Sequence, residues 1–317
     1  MASEPERGYP EADYHYTRDF DPEPPSKPEP AVAMQGGDRP QQSPYVYNEE
    51  IILAVNTALA AGRPLLVGGA AGTGKSALAQ DIAKQREMAF VQKVITGRTE
   101  GRDLLWRFDT VRRLRDAHLA VASRKAGESP DVLDEQNYLD KGVLWEAFVT
   151  TNPKGAVVLI DEIDKADPDV PNSLLEVLGN GKFTIDETRA VIEVNDARPP
   201  FIVITTNNER ELSRPFRRRC VTLRLEEPSE ARLVEIATAW GLADGDALVT
   251  AQKLATEMHR RAKADATGDL KPNAAEYLDA LRACLELGVE PGSQAWEAIL
   301  VATVNKPLDE PRAQDGA

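Results

Sequence analysis

The sequence predicts an α/β domain built on a parallel sheet, followed by a smaller helical domain. Three observations carry this. Short apolar runs alternate with helical stretches from residue 45 onward, several of those runs are nearly continuous, as in Val157-Val158-Leu159-Ile160, and strand character stops after Pro228. Strands separated by helices imply parallel pairing, and uninterrupted apolar strands are those covered on both faces.

The candidate strands are Pro64–Val67, Phe90–Ile95, Ala156–Ile160, Phe201–Thr205 and Cys220–Leu225, with an apolar-periodic helix from Asn48 to Ala61 ahead of them. Four helical segments follow Pro228: Ser229–Trp240, Asp246–Ala264, Asn273–Leu287 and Ser293–Val304. Residues 1–44 are rich in Pro, Glu and Asp and bury too little apolar surface to offset their ordering entropy, so they read as a disordered tail. The alternative is a docking segment anchored by Tyr9, Tyr14 and Tyr16. The expected organisation is thus a 1–44 tail, a 45–227 α/β domain, a 228–305 helical domain and a 306–317 flexible tail.

Composition narrows the function. The 317 residues carry a formal net charge of −14. Nucleic-acid grooves draw most of their affinity from Lys and Arg stripes, so this charge argues against DNA or RNA as the main substrate. Two distant cysteines, Cys220 and Cys284, and three scattered histidines offer no metal-ligand spacing and read as reduced, cytosolic usage. No apolar run has membrane-spanning length, and the N-terminus lacks the pattern of a signal peptide, so a cytoplasmic protein with no membrane partner is expected.

The chemistry begins at Gly69-Ala70-Ala71-Gly72-Thr73-Gly74-Lys75-Ser76, which fits G-x-x-x-x-G-K-[ST]. Glycines let the backbone wrap a phosphate so that successive N–H groups point at it, and the helix opening at Ala77 adds its N-terminal dipole. Lys75 is expected to reach the β- and γ-phosphates of ATP, and the Ser76 hydroxyl to bind Mg²⁺. The loop follows an apolar strand and precedes a helix, the setting that this motif requires.

Val157-Val158-Leu159-Ile160-Asp161-Glu162 is an apolar strand ending in two acids. Asp161 at the carboxyl end of a buried strand is the second candidate Mg²⁺ ligand, and Glu162 is placed to activate water as a general base. Asp164 and Lys165 are given supporting roles. Phe201–Thr205 leads to Asn207, a candidate for holding the attacking water or the γ-phosphate, preferred over its neighbour Asn208. Next, Arg214-Pro215-Phe216-Arg217-Arg218-Arg219 is a dense basic cluster in an acidic chain, suited to phosphate recognition.

In this order the motifs resemble the AAA+ superfamily, and its MoxR-like branch in particular, over roughly residues 45 to 300. The phosphate loop looks like Walker A and Val157–Glu162 like Walker B. Asn207 lines up with sensor 1, and Arg219, with Arg218 beside it, with the arginine finger. Gly97–Phe148 resembles the helix-2 insertion of that branch. Gly181–Ile185 and Val191–Val194 look like the hairpin ahead of sensor 1. At the sensor-2 position, where many MoxR relatives read Ser-Pro-Arg, this chain has Lys271-Pro272-Asn273, leaving Lys271 as the nearby cation.

The resemblance implies a P-loop AAA+ sheet in the order 5-1-4-3-2 with a C-terminal helical lid. It also implies a hexameric ring with ATP sites shared between subunits, and a client or adaptor protein, in this branch often one with a von Willebrand A domain. A nucleic-acid motor and an ATP-driven assembly switch are the competing readings. The basic stretches at Arg107–Arg115 and Arg214–Arg219 favour the motor and the net charge opposes it, while an intact Glu162 argues against a pure switch.

Overall fold

A computed structural model describes residues 16–25, 44–122, 134–265 and 270–305. Its main sheet holds β1 (Leu65–Gly68), β2 (Ala89–Val94), β5 (Ala156–Asp161), β8 (Phe201–Thr206) and β9 (Val221–Arg224), all parallel, in the spatial order β9-β1-β8-β5-β2. Counting these five strands in chain order, the sheet reads 5-1-4-3-2, as expected. The central strands are buried on both faces because side chains alternate. Val157, Leu159, Phe201 and Val203 point to one core, while Val158, Ile160, Ile202 and Ile204 point to the other.

The first face is covered by α1 (Glu49–Ala61) and by α2 (Lys75–Gln85), which opens directly from the phosphate loop. Asn48 caps α1 by accepting from the Ile51 amide at 2.9 Å, and Gly62 ends it in the left-handed conformation. The second face carries α4 (Val143–Phe148) and α5 (Asp169–Asn180). Between β2 and α4 lies the insertion: β3 (Trp106–Phe108) pairs antiparallel with β4 (Leu139–Lys141), and α3 (Thr110–Ala122) follows β3. Antiparallel β6 (Lys182–Thr184) and β7 (Val191–Glu193) form the hairpin ahead of β8. The two features are joined. Trp106 stacks on Phe183 at 5.7 Å between ring centroids, and its indole N–H donates to Glu187 at 2.8 Å.

After β9 and α6 (Arg214–Arg218), which precedes it, the chain is helical: α7 (Glu230–Ala239), α8 (Asp246–Ala264), α9 (Ala274–Glu286) and α10 (Gln294–Leu300). They enclose a separate apolar cluster around Leu233, Leu254, Tyr277 and Leu281. The buried Tyr277 hydroxyl is satisfied by the Ala251 carbonyl at 3.0 Å. No helix among the described residues is long and apolar enough to cross a membrane.

One expectation needs correction. Residues 16–25, inside the stretch read as a disordered tail, lie against α1 and α2. Phe20 is 2% exposed and meets the Tyr47 ring edge-on at 5.5 Å. The buried Asn56 amide accepts from the Asp19 and Phe20 N–H groups, both at 2.8 Å, and donates to the Phe20 carbonyl at 2.7 Å. Arg18 pairs with Glu49 at 2.7 Å, and Arg86 with Asp19 at 3.0 Å. Average composition missed this because one aromatic with a dedicated amide partner suffices to seat a strap. The rest of that tail, with Tyr9 and Tyr14, and residues 306–317 lie outside the described residues.

The strap gives a stability test. Phe20→Ala removes a fully enclosed aromatic and is expected to destabilise the domain by about 3 kcal/mol in chemical denaturation. A shift near zero would mean that the strap does not hold its place in solution.

Candidate functional site

The carboxyl ends of β1, β5 and β8 converge, and the motif residues meet there. Asp161 ends β5 and is 9% exposed. Its carboxylate accepts from the Ser76 hydroxyl, at 3.0 Å to Oδ1 and 2.9 Å to Oδ2, which joins the phosphate-loop helix to β5. It also accepts a short hydrogen bond from Thr205 Oγ1 and a longer one from Gln92 Nε2 at 3.4 Å. Hard oxygens from Ser76 and Asp161 at one point are the donor set that Mg²⁺ takes, alongside waters and phosphate oxygens.

Lys75 is 7% exposed, and its ammonium donates to the carbonyls of Gly69 at 2.9 Å and Ala70 at 2.7 Å. Burial pushes this amine below its ordinary value, while the nearby charges of Asp161, Asp164 and Glu162 pull the other way. Thr73 Oγ1 donates to Ala70 O at 2.9 Å and closes the loop on itself. Ala71 and Ala77 contribute loop and helix backbone, the part of such a motif that faces phosphate.

Glu162 stands one residue past β5 in a left-handed conformation, φ 60°. That backbone is uncommon outside glycine, and the local bonds fix it. Its N–H donates to Thr205 Oγ1 at 2.9 Å, Oε1 accepts from Asn207 Nδ2 at 3.3 Å, and Oε2 accepts from Lys165 Nζ at 2.7 Å. The buried Asp164 accepts the amides of Asn207 at 3.4 Å and Glu209 at 2.9 Å, holding the β8 exit loop beside Glu162.

Thus Lys75, Ser76, Asp161, Glu162 and Asn207 come together. Three sequence candidates do not join them. Lys271 pairs at 3.4 Å with Glu227, which lies on the connection between the domains, and both side chains are about half-exposed. Arg218 and Arg219 are exposed on α6 and the turn after it. Arg214, Arg217, Arg218 and Thr222 line a shallow cleft of about 320 Å³, and Arg63 donates to the Arg218 carbonyl at 2.9 Å. Thr205 was missed by the sequence reading, where it was simply the last residue of a strand. A hydroxyl closing an otherwise apolar buried run was the available signal.

A parallel sheet in this order, a phosphate loop on its first strand and an acid pair on its third make up the α/β P-loop fold of AAA+ domains. Residues 64–220 match the family described as AAA domain (dynein-related subfamily). Chaperone protein ClpB of Mycoplasmoides gallisepticum is 37% identical over 131 residues, 40% of this chain and 17% of that protein. The ClpA homolog protein of Fuscovulum blasticum is 33% identical over 142 residues, 45% of this chain and 14% of the relative. This chain therefore spans less than a fifth of the length of either. Among solved structures, the Thermotoga maritima RuvB Holliday junction branch migration motor aligns over 80% of this chain and 67% of its own, with TM-score 0.41 and 17% identity.

Thr205 ties Asp161 to the Glu162 amide, so Thr205→Val leaves two buried polar groups short of a partner. That costs about 1–3 kcal/mol. ATP turnover is expected to fall by roughly one to two orders of magnitude, with nucleotide binding retained. Wild-type turnover in this variant, measured by phosphate release, would remove Thr205 from the site.

Proposed function

We propose that this chain is a MoxR-like AAA+ ATPase that assembles into a ring, hexameric by that resemblance, and uses ATP hydrolysis to remodel a partner protein. The observation that carries the reading is the geometry around Glu162. A carboxylate fixed by Asn207 and Lys165 stands beside the Ser76–Asp161 pair, at the mouth of the phosphate loop.

In this mechanism Lys75 leaves the Gly69 and Ala70 carbonyls to hold the β- and γ-phosphates, with the loop amides from Gly69 to Ala77 around them. Ser76 and Asp161 would hold Mg²⁺. Bound there, the ion neutralises phosphate charge as it develops. Glu162 accepts the proton of the attacking water, and Asn207 orients that water or the γ-phosphate. Arg219, with Arg218 adjacent, is exposed in the turn between α6 and β9, the edge strand of the sheet, where it is available to a neighbouring subunit's nucleotide. Lys271, held by Glu227, is left out of this scheme.

The mechanical output is assigned to the insertion and the β6–β7 hairpin, which the Trp106–Phe183 stack and the Trp106–Glu187 bond join into one body. The ClpB and ClpA relatives, chaperone proteins by name in the first case, support a protein client. A separate adaptor such as a von Willebrand A-domain protein, and a cytoplasmic setting, come from the resemblance to the MoxR branch.

The test is ATP turnover across protein concentration, with light scattering on each sample. Turnover per subunit is expected to rise with assembly. Glu162→Gln should bind ATP without hydrolysing it, and Arg219→Ala should lose about 10³ in rate if the finger acts in trans. Concentration-independent turnover with an active Arg219→Ala would reject the shared site.

A further inference from the structure

The lid meets the phosphate loop through a small amide instead of a charge. Asn273 caps α9, accepting from the Glu276 N–H at 2.8 Å, and its Oδ1 lies 2.7 Å from where a Cβ on Gly72 would stand. Gly72 itself has φ 76°, so both its backbone and this contact require glycine. The cation beside Asn273 in sequence, Lys271, is turned to Glu227.

A different lid cation does cross to the nucleotide-binding domain. Arg232, in the first turn of α7, donates through Nη2 to the Val46 carbonyl and through Nη1 to the Tyr47 carbonyl at 3.5 Å. Nη1 also holds Glu235 on its own helix at 2.7 Å. The guanidinium side chain is 23% exposed, so these charge-assisted bonds are only partly screened by water.

The carbonyls that Arg232 grips belong to a three-residue strut, Tyr45-Val46-Tyr47, whose side chains bear on the phosphate-loop helix at two points. The Tyr45 ring lies against Gly74, the residue that caps α2, with Cε2 3.4 Å from where a Cβ there would stand. The Tyr47 hydroxyl donates to Asp81 Oδ2, farther along α2, at 2.8 Å. Burial within this packing raises the pKa of both tyrosine hydroxyls, which favours the neutral phenols.

We propose that Arg232 is the positioning residue through which the lid sets the phosphate loop, acting on α2 through the Tyr45–Tyr47 strut. A planar fork suits two adjacent carbonyls, and the contact joins the first lid helix to the segment leading into α1. Arg232 touches no group assigned to phosphate, Mg²⁺ or water. Its loss therefore falls on nucleotide affinity, and the chemical step at saturation is spared. The inference rests on the reading of Gly69–Ser76 as the ATP site.

The experiment compares steady-state ATP hydrolysis by the full chain for wild type, Arg232→Ala, Tyr47→Phe and the double variant. Arg232→Ala and Tyr47→Phe are each expected to raise the KM for ATP, by about fivefold for Arg232→Ala, with kcat held within about twofold. Because both act through one strut, the double variant should be no worse than the worse single variant. Arg232→Lys keeps the charge but cannot grip both carbonyls. It should shift KM in the same direction, and it carries the test if the alanine variant does not fold.

A wild-type KM in the Arg232 variants, multiplicative effects in the double variant, or a fall in kcat with KM unchanged would each overturn the proposal. Lys75→Ala separates this from the reading beneath it. If that variant binds ATP as wild type does, the phosphate-loop assignment fails whatever Arg232 does.

Discussion

The Asp161 carboxylate is the point on which the arrangement of the site depends. It accepts from Ser76 on α2, from Thr205 on β8 and from Gln92 on β2, so one side chain at the end of β5 registers three neighbouring segments. A buried carboxylate with that many donors is stable only if all of them stay in place. The Thr205 hydroxyl then passes the constraint one residue further, by accepting the Glu162 amide. The left-handed backbone of Glu162 is the geometric cost of turning the second acid out of the sheet, toward Asn207 and Lys165. Replacing any one donor would loosen the proposed metal ligand and the proposed base together.

Packing supports this network from both sides. Alternate side chains of β5 and β8 enter two different cores, one under the phosphate-loop helix and one under the insertion and hairpin. The strap that carries Phe20 extends the first core. Its ring meets Tyr47, and Tyr47 in turn holds Asp81 on α2. The segment ahead of α1 is therefore part of the nucleotide-binding unit.

Much of this was legible in the sequence. Each sheet strand begins and ends within one residue of its expected limits, because buried parallel strands write themselves as uninterrupted apolar runs. The phosphate loop and the Asp161-Glu162 pair were legible because glycine spacing and a strand-terminal acid are local patterns. What was not legible depends on long-range partners. Phe20 is one aromatic in a Pro-rich acidic stretch, and nothing local announces Asn56 as its partner 36 residues on. Lys271 was named as the cation nearest the sensor-2 position, and in the fold it pairs with Glu227, a partner 44 residues away that no local pattern announces. Thr205 and Arg232 act through a hydroxyl and a guanidinium whose partners are set by the fold alone.

These same contacts bear on where a nucleotide-driven change would be absorbed. Well-packed cores resist continuous deformation, so motion collects where contacts are few and polar. The insertion and hairpin are stacked on each other through Trp106 and Phe183 and share a core with β5, so they belong to the same block as the base of the site. The lid has its own closed core. Among the described residues, contacts between the two blocks include the Lys271–Glu227 pair, Asn273 against Gly72, and Arg232 on the Val46 and Tyr47 carbonyls. The first of these is an exposed ion pair, worth little on its own. The second is a close approach of a small amide to a glycine, with no charge to follow the phosphate. Of these three, Arg232 combines charge with two acceptors and a mechanical route to α2. On the proposed function, the lid would couple to the nucleotide through the backbone ahead of α1, leaving the phosphate itself to the loop.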